Sequence, residues 1–90
     1  MNTSISSDQL AFLLDAQTRG SAATIHGLNF DSRQVQAGDL FVAFKGDKAD
    51  GHDYVEAARA RGAVAALVER WVPVEITQIK VENCFSALAD

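Results

Sequence analysis

Residues 40–69 read LFVAFKGDKADGHDYVEAARARGAVAALVE, and the order of their parts decides the fold. LFVAF (40–44) is apolar at every position, which is the pattern of an inner strand covered on both faces. A polar loop with glycines at 46 and 51 follows. From Asp53 to Arg61 the spacing predicts a helix, with Tyr54, Ala57, Ala58 and Arg61 on one stripe and Gly62 at its end. AVAALVE (63–69) is a second strand of the buried type. Strand, helix and strand at this spacing make a βαβ unit.

Working outward, SSDQLAFLLDAQTRG (6–20) predicts a first helix capped by Ser6 or Ser7. Leu10, Leu13 and Leu14 would share its inner face, and Gly20 would end it. ATIHGLNF (23–30) alternates and reads as one strand, and DSRQVQAGD (31–39) is a turn region. Beyond the βαβ unit, Trp71 and Pro73 mark a connection and TQIKVE (77–82) a further strand. NCFSALAD (83–90) starts like a helix with Asn83 as cap. The expected fold is α/β: a small mixed or mostly parallel sheet of four to five strands flanked by helices.

Ninety residues with 48% apolar content suffice for one small domain. The 12 acidic and 8 basic side chains are interspersed and give a net charge of −4, so the basic face that nucleic-acid binding requires is missing. A lone cysteine, Cys84, excludes an internal disulfide and a thiolate metal cluster, and fits a reduced cytoplasmic setting. Near a helix start its thiol could be activated, but without a visible partner it reads as buried and inert. No apolar run approaches the roughly 20 residues of a membrane span, and MNTSISSDQL lacks the features of a signal peptide.

Gly46 and Gly51 have the spacing of a phosphate-binding G-x-x-x-x-G-K-[ST] loop, yet His52 and Asp53 stand where Lys and Ser/Thr belong. Triphosphate binding is therefore rejected. A strand–loop–helix junction can still present backbone amides to an anion, so a ligand loop and a plain connection both remain open. The same two readings hold for Asp31-Ser32-Arg33: turn formation, with Arg33 paired to Asp31 or Asp39, or a ligand contact at a strand end. His26 and His52 are too few and too far apart for a metal site. For His52, helix capping competes with ligand contact.

Three segments together carry a more specific signal: FDSRQVQAGDLFVAFKG (30–46), DKADGHDYVEAARARGAVAALVE (47–69) and ITQIKVENCFSALAD (76–90). They resemble the N-terminal domain of the Mur ligases, the ATP-dependent amide-forming enzymes of peptidoglycan precursor synthesis. The shared pattern is D-[ST]-R-x-[VL]-x-x-G-x-L-F-V-A-x-x-G-x-x-x-D-[GA]-x-x-[FY]. Two branches are similar: the ligase adding D-alanyl-D-alanine to UDP-MurNAc-tripeptide, and the ligase adding the third residue to UDP-MurNAc-L-Ala-D-Glu. The GDKADGHDY loop and the short path from VERWVPVEI to QIKVENCFSAL favour the first.

The resemblance implies a domain over 1–82 that holds the UDP part of a UDP-MurNAc-peptide, with 83–90 starting a helix towards a central ATPase domain. Substrate contacts would come from Phe30, Ser32, Asp47, Lys48 and Ala49, with Lys48 facing the diphosphate and loop amides assisting. Arg33 and Asp39 would be scaffold. No catalytic or metal-binding residue is expected in these 90 residues. ATP and Mg²⁺ would serve the full-length enzyme through domains not present here, and the partners would be the UDP-MurNAc-peptide and the rest of the ligase chain. The alternative from another class is a stand-alone α/β interaction module that kept the fold and lost the ligand.

Overall fold

The structure, a computed structural model, describes residues 4–46 and 49–89, with the side chains of 88 and 89 excepted. Its elements are β1 (Ile5–Ser6), α1 (Ser7–Leu14), β2 (Gln17–Arg19), β3 (Thr24–Ile25), β4 (Gly27–Asn29), β5 (Asp39–Val42), a 3-10 turn (Gly51–Tyr54), α2 (Val55–Ala60), β6 (Ala65–Val68), β7 (Thr77–Lys80) and α3 (Cys84–Ala89). The main sheet has the order β2-β7-β6-β5-β4, and β1 pairs with β3 in a separate two-stranded ribbon. β4, β5, β6 and β7 run parallel, and β2 joins β7 antiparallel. The expected mixed, mostly parallel sheet is thus what the chain forms.

Each inner strand sends alternate side chains to opposite faces, and two cores result. Phe41, Ala43, Ala66 and Val68 pack with Val55 and Ala58 of α2 on one face. Leu40, Val42, Ala65, Leu67 and Ile79 pack with Ala11 of α1 and Cys84 of α3 on the other. All four residues of β5 and all four of β6 are buried, as strands covered on both sides require.

Several local expectations are corrected. Helix α1 stops at Leu14 because Asp15 turns left-handed (φ 53) and its N–H bonds back to Ala11 and Phe12. Residues 17–19 then become β2, and Gly20 is not a helix end. Ser6 is the cap and forms a reciprocal capping box with Gln9. Ser7 is buried and exchanges hydrogen bonds with the backbone of Ala23. Leu13 does not share the inner face: it is 70% exposed, beside Phe12 at 85%, while Ser7 and Ala11 are the buried residues. The segment 23–30 is not one strand either. It breaks at His26, whose N–H goes to the Gly38 carbonyl, so Ile25 joins the ribbon and Gly27 the main sheet.

The second helix also differs in phase. It opens with a 3-10 turn, three residues per turn, so the buried positions are His52, Val55 and Ala58. Tyr54, Ala57 and Arg61 face outward.

Candidate functional site

Because β4 to β7 are parallel, their carboxyl ends meet at one edge of the sheet, where α/β folds bind ligands. The turn after β4, the loop after β5, Glu69 and Arg70 after β6, and the start of α3 after β7 all lie there.

The turn after β4 is built by its own polar side chains. Asn29 Oδ1 accepts the Asp31 N–H at 3.0 Å, and Asp31 Oδ1 accepts the Arg33 N–H at 2.9 Å. Arg33 closes the turn by donating Nε and Nη2 to the two Asp31 oxygens, both at 3.1 Å. The Arg33 guanidinium, and then its amide, hold the Asp31 carboxyl below the usual carboxylate range. Arg33 is therefore scaffold here, as is Asp39, whose Oδ2 accepts the Gln36 N–H at 2.9 Å. Ser32 sits inside this frame, half-buried, and no group among the described residues bonds its hydroxyl or amide. Phe30 is 66% exposed, and its ring meets Phe44 edge-on at 5.8 Å. Phe44 in turn stacks on Phe85 of α3 at 4.3 Å.

The loop after β5 folds back on itself. Lys45 and Asp50 form an antiparallel bridge, and the Gly46 N–H donates to the Ala49 carbonyl at 2.8 Å. Asp47 and Lys48 lie outside the described residues. Ala49 is exposed. The amides expected to assist an anion are occupied internally: Gly51 donates to the Phe44 carbonyl, His52 to Asp50 Oδ1 and Asp53 to the Asp50 carbonyl. Four amides of a phosphate cradle are thus already bonded, and the phosphate-loop spacing of the glycines is coincidental.

Asp50, not His52, caps the 3-10 turn. His52 is buried instead, with Nδ1 2.6 Å from Asp50 Oδ1 and Nε2 accepting the Glu69 N–H at 2.8 Å. Arg70 Nη1 donates to Asp50 Oδ2 at 2.9 Å. These contacts, the His52 N–H first, hold the Asp50 carboxyl far below its usual range. Glu69 continues the chain of bonds, its carboxylate accepting the Cys84 N–H at 2.9 Å. The Cys84 thiol is fully buried, pushed up to about 12 by burial and then by the Glu69 charge, so it is not an activated nucleophile.

Sequence reasoning missed Glu69 and Arg70, and read Tyr54 only as a stripe residue of the second helix. Tyr54 is exposed at the edge, near Arg33; its signal was the aromatic position that closes the shared pattern. Glu69 and Arg70 gave none, because their partners are 15 to 20 residues away in sequence. Among the described residues no three His, Cys, Asp or Glu gather as metal ligands, and no helix is long and apolar enough to cross a membrane. One surface hollow borders this edge between Lys80, Asn83 and Ser86, and another lies away from it. The latter, under the amino ends of β6 and β7, includes Arg19, Arg59 and Thr77. These are engaged by the Trp71 ring, Glu56 and the Ser21 carbonyl respectively.

Residues 24–88 match the family described as "Mur ligase family, catalytic domain". A UDP-N-acetylmuramoyl-L-alanyl-D-glutamate--2,6-diaminopimelate ligase of Geobacter metallireducens is 43% identical over 86 residues, covering 91% of this chain and 17% of that protein. A UDP-N-acetylmuramoyl-tripeptide--D-alanyl-D-alanine ligase of Escherichia coli is 35% identical over 80 residues, covering 89% of this chain and 18% of that one. A crystal structure of MurF from Acinetobacter baumannii superposes with a TM-score of 0.82 at 32% identity, over 91% of this chain and 19% of that chain. The chain thus spans about a fifth of the length of the relatives it matches.

Proposed function

This chain belongs to the Mur ligase family, and from that premise we propose that it binds the uridine-diphosphate part of a UDP-MurNAc-peptide as the N-terminal domain (1–82) of an amide ligase of peptidoglycan synthesis. Phe30 offers an exposed ring face to the base, and Ser32 a hydroxyl and an amide to the diphosphate. Lys48, with Asp47 and Ala49, would complete the contact from the opposite loop. The observation that carries this reading is Ser32: a half-buried hydroxyl held in a rigid turn at the carboxyl end of a parallel strand, without a partner among the described residues.

ATP and Mg²⁺, which the family's chemistry needs, do not fit this loop. Its amides are bonded internally, and Lys-Ser/Thr is absent after Gly51. Acyl-phosphate chemistry is therefore assigned to the rest of a ligase chain, with the segment from residue 83 as the path towards it. The isolated 90 residues are expected to turn over no ATP.

The first branch reading is addition of D-alanyl-D-alanine to UDP-MurNAc-tripeptide, supported by the likeness to MurF structures. The 43% identity to a diaminopimelate ligase favours addition of the third residue as the second reading. Assaying the longer ligase with each acceptor and amine pair separates them by the amide formed.

Isothermal titration with UDP-MurNAc-tripeptide tests the site. The wild-type chain is expected to bind at least about tenfold more tightly than a Ser32→Ala/Lys48→Ala double variant, as loss of one or two charge-assisted hydrogen bonds implies. Equal affinity would remove the site assignment.

A further inference from the structure

His52 is unusual for a residue in a surface loop: it is 4% exposed, and both ring nitrogens are engaged by groups that lie on different segments. A backbone N–H can only donate. The Glu69 amide therefore requires a bare Nε2, which places the ring proton on Nδ1 and makes Asp50 its acceptor. Asp50 is in turn the residue that closes the loop opposite Lys45 and caps the following turn. Its Oδ1 takes both the His52 ring proton and the His52 N–H, and its Oδ2 takes Arg70.

The loop base is thus tied through one imidazole to the end of β6. We propose that His52 is a positioning residue: it sets the shape of the loop through Phe44, Gly46, Ala49 and Asp50, and so sets what the carboxyl edge presents to a ligand. This rests on the reading that the edge binds a nucleotide sugar. No other described side chain reaches from the loop base to the β6 backbone, because Asp50 touches Arg70 only through its side chain and Gly51 bonds within its own segment.

The test begins with the wild-type chain. Ring-nitrogen NMR at neutral pH is expected to show a protonated Nδ1 and a bare Nε2 on His52; any other protonation state overturns the proposal. Two variants then divide the bonds. His52→Gln can still accept from Glu69 but gives up Asp50, whereas His52→Asn can still donate to Asp50 but gives up Glu69. In both, amide exchange at Gly46 and Gly51 should quicken about tenfold, the effect of one buried hydrogen bond left unmade, while Ala66 and Leu67 in β6 keep wild-type rates. Binding of UDP-MurNAc-tripeptide should weaken by a similar factor. Unchanged loop exchange overturns the proposal, as does equal quickening throughout β5 and β6, which would mark His52 as core alone. If the wild-type chain binds no nucleotide sugar yet loop exchange responds as expected, the ligand reading fails and positioning of the loop by His52 stands.

Discussion

The carboxylate of Glu69 accepts the Cys84 N–H at 2.9 Å, so the residue that follows β6 holds the first turn of α3. Asn83 caps the same turn through Ser86. Replacing Glu69 by Ala should loosen α3 by about 1–2 kcal/mol, the usual worth of a charge-assisted cap. Faster exchange of the Ala87 amide, which bonds to Asn83, measures this. The Cys84 titration should also fall, though burial, the larger cause, keeps it raised.

Cys84 gives the stability a sign at alkaline pH. The folded thiol holds its proton to about 12, against 9.0 for an ordinary thiol. Its contribution is complete below pH 9 and is lost as pH rises towards 12, at up to about 1.4 kcal/mol per unit. Urea midpoints across this range should fall more steeply for wild type than for Cys84→Ala. At neutral pH the native thiol should resist alkylation.

Asp50 acts at the other end of the scale. Its carboxyl is depressed below the ordinary 3.8 by the His52 N–H, then the His52 ring, then Arg70. Its contribution is present above that value and is lost as pH falls below it. Asp50→Asn should therefore lower the stability at neutral pH and flatten its acid dependence, read from urea midpoints between about pH 2 and pH 6.

Gly51 is required by space. A Cβ there would lie 2.7 Å from the Phe44 carbonyl oxygen, 2.8 Å from the Phe44 nitrogen and 3.0 Å from the Ala43 Cα. All three are backbone atoms just past β5, where the Ala43 N–H is still bonded to Leu67 of β6, so they cannot move without disturbing the sheet. Gly51→Ala should cost about 2–3 kcal/mol and lower Tm by roughly 10–20 °C. At Gly46 the nearest atom is 3.2 Å away, and the same change should cost much less.

Gln78 is a buried polar residue of β7. Its amide accepts the Val72 N–H and donates to the carbonyls of Val72 and Val74, fixing the connection that carries Trp71 and Pro73 into β7. Gln78→Leu fills the space but leaves the Val72 N–H buried and unpaired. A loss of about 1–3 kcal/mol should appear in thermal melts, with Val72 exchange rising first.

The β5–α2–β6 unit was legible because apolar runs, a glycine-bounded loop and Gly62 are local signals that agree with one another. Ser6 as cap and Asn83 as cap were legible for the same reason. β2 was not: QTR carries no apolar pattern and becomes a strand only because Lys80, Ile79 and Gln78 lie opposite it. Leu13 looked like core by spacing, yet α1 presents Ser7 and Ala11 to the sheet because small residues let the helix approach closely. Of the candidate site, Phe30, Ser32 and Ala49 fall at the expected sheet edge, whereas Asp47 and Lys48 lie outside the described residues.

The sequence alone determined the strand–helix–strand order, the family resemblance and the absence of a phosphate-loop lysine, since each depends on residues adjacent in the chain. Only the tertiary structure decided what His52, Glu69 and Gln78 do. A polar side chain brought out of water must find a partner, and their partners come from segments that folding, not sequence order, places beside them.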